Sequence, residues 1–145
     1  MSLSLWMLLG FAGWTVLVLV AGIGTRRLAL VFKGEAGMAS FPADVPAGSS
    51  GYRRAMRAHA NCVENLPIFG ALVLTANAVG LRSPEIDVLA VIVMAARIVQ
   101  SLIHMCFTER NGTVAVRFTF FMLQLVAMLW IGALIIAAIA ADVPD

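Results

Sequence analysis

The sequence predicts an all-α integral membrane protein, a bundle of four transmembrane helices forming one domain over residues 1–145. Composition is the first reason: 61% of the residues are hydrophobic, 12% are charged, and the mean hydropathy is +0.95. Soluble domains are nearer half apolar and about a quarter charged. Apolar runs are the second reason. Leu3–Ile23 holds 21 residues without a charge, Phe118–Ala141 holds 24, and Val88–Phe107 holds 20 interrupted only by Arg97. Leu66–Leu81 is uncharged for 16 residues and continues backwards into a polar cluster. The third reason is fit: a hydrocarbon core of about 30 Å needs roughly 20 helical residues, so four spans use most of the chain.

The first helix is expected to end at Gly22-Ile23-Gly24-Thr25, with Arg26 and Arg27 at the interface. It is a poor signal peptide, because no basic residue precedes it and its apolar run exceeds a signal core. Gly34–Gly51 reads as the one real loop, rich in Gly, Pro, Ser and Ala. The second helix is expected from near Gly51 to about Gly80, with Pro67 as a candidate kink. Ser83 before Pro84 and Glu85 reads as a cap, a first-turn proline and a favourable charge at the start of the third helix. Asn111-Gly112 reads as a tight turn before the fourth.

Eight of the ten basic residues flank the first and third connections, which the positive-inside rule makes cytoplasmic. Both termini, the C-terminal one carrying Asp142 and Asp145, are then expected to face away from the cytosol. A multi-pass protein of a bacterial inner membrane is the expected setting, since the chain is compact and shows no retention tail. A net charge of +2 excludes nucleic acid as an expected partner. Cys62 and Cys106 lie in or beside spans and read as packing residues. Two histidines and two cysteines show no metal-ligand spacing, so no metal is expected.

The densest signal is Arg53–Pro67, RRAMRAHANCVENLP, at the mouth of an apolar helix. Polar groups there are costly to bury, which points to function. Arg57, Asn61 and Glu64 share one helix face, and Arg53 and Arg54 extend it towards the cytosol. Arg97, Gln100 and His104 share a face of the third helix, and Arg117 and Gln124 one of the fourth. Glu64 and Arg97 come to similar depth, and either charge alone at mid-bilayer costs roughly 2.5–3.5 kcal/mol. A Glu64–Arg97 ion pair is therefore expected, either as part of a site or as a device that fixes helix register. His104, Arg57, Asn61 and Arg117 would gather in the cytoplasmic half. Arg117 alone also reads as a snorkelling interfacial arginine, and His59 turns away from the Arg57–Asn61–Glu64 face.

Arg57-Ala58-His59 followed by Asn61, Glu64 and Pro67 resembles the signature of the MAPEG family, the membrane-associated proteins in eicosanoid and glutathione metabolism. The resemblance covers the whole chain, in the form of a prokaryotic-type member, and is specific at the second helix. It implies a homotrimer of four-helix subunits, with sites between subunits that bind glutathione as co-substrate and take a lipophilic molecule or lipid from the membrane. It implies that Arg57, Asn61 and Glu64 bind glutathione, with Arg54 and Arg26 as neighbouring arginines and His104 at the same site. Arg97 matches the arginine that family members pair with the glutamate of the second helix. Arg117 matches the arginine held to stabilise the glutathione thiolate. A cysteine-type thiol has a pKa of about 8.5, and a guanidinium beside the sulfur lowers it. Departures are visible too. His104 and Gln100 stand where tyrosine or another polar aromatic is frequent, Phe118 and Phe121 replace more polar residues, and Tyr52 is the one tyrosine.

The resemblance gives a leading reading of glutathione transferase or peroxidase acting on lipophilic electrophiles or lipid hydroperoxides. A second reading is a non-enzymatic lipid-binding scaffold of the same fold. A third takes Glu64, Arg97 and His104 as a proton or ion path, which the absence of a broken-helix pair disfavours.

Overall fold

The computed structural model describes residues 1–41, 48–108 and 110–141. Asp142 and Asp145, used above for orientation, and the middle of the first loop lie outside the described residues. Four long helices account for the rest: α1 (Leu3–Phe32), α2 (Ser50–Ala78), α3 (Pro84–Cys106) and α4 (Asn111–Ala141). A single 3-10 turn, Met38–Ser40, lies between α1 and α2. Of the four, α1, α3 and α4 are long and apolar enough to cross a membrane. The 29 residues of α2 are long enough, but their first half carries the arginine-rich cluster.

Serine caps start three of the helices. Ser2 accepts from the Leu5 N–H, Ser49 from Tyr52 and Ser83 from Glu85. Each satisfies an amide that no helical carbonyl can reach. Pro84 is the first residue of α3, with Glu85 and Asp87 in its first turn, as the sequence predicts. Pro67 lies within α2 without interrupting it.

Two boundaries differ from the sequence reading. Helix α1 does not stop at Gly22–Thr25; it passes through a π-helical stretch, Val18–Gly24, and resumes as α-helix over Thr25–Phe32. The glycines serve close packing: a Cβ on Gly22 would lie 3.1 Å from the Ala55 Cβ of α2. Thr25 Oγ1 donates to the Ala21 carbonyl at 2.8 Å. Asn111 and Gly112 are not a turn but the first residues of α4, because the Arg110 carbonyl already accepts from the Val114 N–H at 2.9 Å. The connection instead falls between Cys106 and Asn111.

Helix α3 is the centre of the bundle. It packs against α4 most extensively and against α1 and α2 as well, while α2 touches α1 closely and α4 more lightly. The core between them contains Phe11, Phe69, Val73, Ile86, Val93 and Ile131, all fully or almost fully buried. Phe11 and Phe69 meet as tilted rings with centroids 5.7 Å apart. Outside, large apolar side chains such as Leu74, Val126, Leu129 and Ile136 are exposed along the helices. A surface this apolar is what a lipid-facing bundle presents and what a water-soluble one avoids.

One end of the bundle is knotted by polar contacts. The Ser4 N–H donates to Asp87 Oδ1 at 2.8 Å, Ser2 Oγ to Asn77 Oδ1 at 3.2 Å, and Trp130 Nε1 to Glu85 Oε1 at 2.7 Å. At the other end Arg27 Nε donates to the Tyr52 hydroxyl at 2.6 Å, and its guanidinium lies over the Phe41 ring at 5.3 Å.

The close approach at Gly22 gives a first test. Gly22→Val forces side-chain atoms into Ala55 and the Met105 sulfur, an overpacking that costs about 1–3 kcal/mol. Gly13, with nothing within 4 Å of its would-be Cβ, takes the same substitution without a clash. Thermal melting in detergent should therefore show a clear loss for Gly22→Val and little change for Gly13→Val.

Candidate functional site

The polar stripes anticipated on α2, α3 and α4 meet. Helix α3 supplies a buried row, Arg97, Gln100, Ser101 and His104, because these four fall on the side of the helix that faces its neighbours. Arg97 is only 1% exposed. Its Nη1 donates to Gln100 Oε1 at 2.8 Å, and its Cζ lies 5.6 Å from the Phe11 ring centre. Gln124 of α4 donates to the same Gln100 oxygen at 3.2 Å, and Gln100 Nε2 donates to the Arg117 backbone carbonyl at 3.1 Å. One glutamine thus joins the buried arginine of α3 to two positions on α4. Ser101 Oγ donates to the Arg97 carbonyl at 2.8 Å and lies 3.5 Å from the Cys62 sulfur on α2.

Towards the arginine-rich end the row continues. Arg117 Nη1 lies 2.9 Å from His104 Nδ1, and His104 Nε2 lies 3.2 Å from the Asn61 side-chain amide. His104 is itself buried, 8% exposed, so it stands behind Arg117 and Asn61 rather than in open space. Arg117, Asn61 and Arg54 are half-buried, and Arg57 and Glu64 are exposed.

The ion pair expected between Glu64 and Arg97 is not made within this chain. The Arg97 guanidinium turns into the bundle, over Phe11 and onto Gln100, and its Nε and Nη2 have no hydrogen-bond partner. Glu64 instead opens onto a groove on the outer side of α2. The two side chains still lie near enough for their charges to attract, without a direct hydrogen bond between them.

Two cavities adjoin the cluster. The first, about 310 Å³, is lined by Ser50, Arg53, Arg54, Arg57 and Thr108 and is strongly basic. The second is a groove of about 470 Å³ between α2 and α4, lined by Glu64, Asn65, Ile68 and Leu72 on one wall and Phe121, Leu125, Met128, Leu129, Gly132 and Ile136 on the other. Its walls continue the polar stripes. On α2 the order Arg57, Asn61, Glu64, Ile68, Leu72 follows one helix face, as does Arg117, Phe121, Leu125, Met128, Gly132, Ile136 on α4. Each face is cationic or polar at one end and apolar beyond.

Arg26 is not brought to this cluster. It lines a separate cavity of about 750 Å³ with Leu30, Phe41, Tyr52 and Met56, and its guanidinium packs on Gly51, where a Cβ would lie 3.1 Å from Nη1. Sequence reasoning placed Gln100 and Gln124 on polar stripes but gave them no part in the site. Their signal was spacing alone: two glutamines within otherwise apolar helices, one of them three residues from Arg97. No group of His, Cys, Asp and Glu among the described residues is arranged to hold a metal ion.

Among the described residues, Gln100 is the one hydrogen-bond acceptor that meets the buried Arg97 guanidinium, which makes it a sensitive position. Gln100→Leu strips the last acceptor from Arg97, and an unsatisfied buried charged group costs about 3 kcal/mol or more. Gln100→Glu restores an acceptor in the same place. Because the glutamate also turns an oxygen towards the Arg117 carbonyl, which Gln100 Nε2 donates to, melting curves should show a large loss for the leucine variant and a partial recovery for the glutamate.

Comparison with curated proteins finds no match, and comparison with solved structures finds none. The model of the MAPEG family, by contrast, matches residues 3–137. That match takes in all four helices and every residue of the polar row, and on this ground the protein belongs to the MAPEG family.

Proposed function

We propose that the protein is a membrane-bound glutathione transferase or peroxidase, a homotrimer of four-span subunits that activates glutathione as a thiolate. The observation that carries this reading is the pair of facing helix stripes, cationic at one end and apolar beyond, with Glu64 at the boundary. A thiol peptide and a lipophilic co-substrate have that same division of chemistry. Family membership, which includes glutathione transferases, supports it independently.

Glutathione carries two carboxylates, an ammonium and a thiol. Arg53, Arg54 and Arg57 offer guanidinium forks suited to carboxylates, and Glu64 offers the complement to the ammonium. Arg117, one helical turn from Phe121, is the cation next to the apolar groove and so the one that would face the sulfur. A guanidinium there stabilises the thiolate, and remains charged even when partly buried. The thiolate attacks an electrophilic carbon held in the groove; a C–S bond forms, and the leaving group or a proton completes the balance. With a lipid hydroperoxide it attacks the terminal oxygen and the O–O bond breaks. The alkoxide then takes a proton, and a second glutathione displaces hydroxide from sulfur as the disulfide forms.

The cost of exposed charge supports an oligomer, as a trimer would provide. Glu64 on a lipid-facing surface would cost roughly 2.5–3.5 kcal/mol at mid-bilayer, so a neighbouring subunit covering the stripe is favoured. Arg26, on the other flank of α2, then reaches a glutathione site only in the adjacent subunit. The arginine-rich ends face the cytosol and both termini face away, in a bacterial inner membrane.

A non-enzymatic lipid-binding scaffold is the second reading, favoured by the apolar groove and by phenylalanine at position 121 on its wall. Glutathione raises the melting temperature of the solubilised protein under the first reading; under the second only lipid does. The decisive measurement is ultraviolet thiolate absorbance on mixing with glutathione. Wild type should show the thiolate, and Arg117→Ala should lose it by about tenfold, one unit of thiol pKa. No signal from folded wild type would sink the transferase reading.

A further inference from the structure

We propose that His104 is the positioning residue of this site. Held as the neutral imidazole with its proton on Nε2, it fixes the Arg117 guanidinium and turns the NH2 end of Asn61 towards the cleft. The functional half of this proposal rests on the transferase reading above; the hydrogen-bond polarity does not.

The two arginine side chains donate and never accept. Arg97 Nη1 lies 2.8 Å from Gln100, so the glutamine must present its oxygen there. Its NH2 end then meets the Arg117 carbonyl, and that contact, at 3.1 Å, is a proper donor–acceptor pair. Gln124 Nε2, 3.2 Å from the same Gln100 oxygen, agrees with this assignment. Gln100 is therefore fixed at both ends, and with it the backbone of α4 at Arg117.

The same logic repeats one turn along α3. Arg117 Nη1 lies 2.9 Å from His104 Nδ1, so Nδ1 must hold a lone pair. A neutral imidazole without a hydrogen on Nδ1 carries it on Nε2. That Nε2–H points at the Asn61 side chain, 3.2 Å away, and there the nearer amide atom is placed as a nitrogen. Two donors cannot face each other, and amide oxygen and nitrogen have nearly the same shape, so the Asn61 amide belongs in the flipped orientation. Its oxygen accepts from His104, and its NH2 group turns to the half-exposed side of α2, on the stripe shared with Arg57 and Glu64.

Two consequences follow for the site. Arg117 is gripped by α3 twice, through its carbonyl by Gln100 and through its guanidinium by His104, so its charge is delivered in one orientation. Asn61 offers a donor rather than an acceptor beside Arg57, which suits a carboxylate or carbonyl oxygen of a peptide ligand and repels an ammonium. The polarity of the row runs from the arginine donors, from Arg97 through Gln100 and from Arg117 through His104 to Asn61.

The test has one arm that needs no activity. In the full-length protein labelled with 15N-histidine, His104 should show an unprotonated Nδ1 and a protonated Nε2, with His59→Asn used to assign the two histidines. A proton on Nδ1 would overturn the proposal whatever the enzyme does. The kinetic arm compares His104→Gln with His104→Leu. Glutamine also accepts at one end and donates at the other, so it should keep the thiolate signal within a few-fold, whereas leucine should lower it by about tenfold. Equal loss in both variants would make His104 a packing residue and sink the positioning role. Asn61→Asp keeps the acceptor for His104 but replaces the outward NH2 by oxygen. It should raise the glutathione KM by about tenfold, a lost charge-assisted hydrogen bond. An unchanged KM would refute the outward donor. Absence of thiolate in wild type, together with the expected tautomer, would retire the transferase reading while leaving the relay itself intact.

Discussion

A guanidinium sealed inside an apolar bundle is the constraint around which this structure is arranged. Among the described residues, Arg97 is the largest fully buried side chain and has one hydrogen-bonding partner for its guanidinium, Gln100. Burying such a charge is expensive unless nearby groups answer it. The answer is assembled from three helices: the Gln100 oxygen on its own helix, the Phe11 ring from α1, and Gln124 from α4 holding Gln100 in place. The polar row on α3 and the packing of α4 against it therefore have one cause. Rotating either helix would unseat an acceptor that Arg97 needs.

Helix α2 carries two incompatible jobs and separates them by azimuth. Cys62, Phe69, Val73 and Ala76 face inwards and are fully or almost fully buried. Arg57 and Glu64 face outwards, and Asn61 stands between the two faces. The helix is 29 residues long, or about 43 Å at 1.5 Å per residue, which gives room for a cationic mouth and an apolar tail on one stripe. The facing stripe of α4 has the same order, so the cleft grades from charged to greasy without a loop having to build it.

The two ends of the bundle differ in kind. One is closed by Ser2, Ser4, Asn77 and Asp87, whose hydrogen bonds join the start of α1 to α2 and α3. The other has cavities and arginines, and helix α1 reaches it only through a π-helical stretch. Local widening of a helix of this kind is frequent near functional sites. Rigidity at the closed end lets the open end keep polar groups at a half-exposed surface, where a ligand can replace water.

The membrane class, the four helices, the serine cap of α3 and the polar face of α2 were legible in the sequence, because they depend on local periodicity and chain chemistry. Hydrophobic runs, a serine before a proline and residues at i, i+4 and i+7 say the same thing in any tertiary setting. Helix ends were less legible: Gly22 and Gly24 read as a stop and Asn111-Gly112 as a turn. In the fold, Gly22 serves a close approach to α2, the helix runs on past Gly24, and Asn111-Gly112 opens α4. Partnership was the least legible. Depth and face matched Arg97 to Glu64, and their charges do attract; the hydrogen bond of Arg97 nevertheless goes to Gln100, while Glu64 lines the α2–α4 groove. His104 likewise reads as a ligand contact by spacing and proves to stand behind Arg117 and Asn61. The sequence alone determined which residues share a helix face; only the packing of α3 against its neighbours decided which faces meet, because azimuth is set by side chains from other helices.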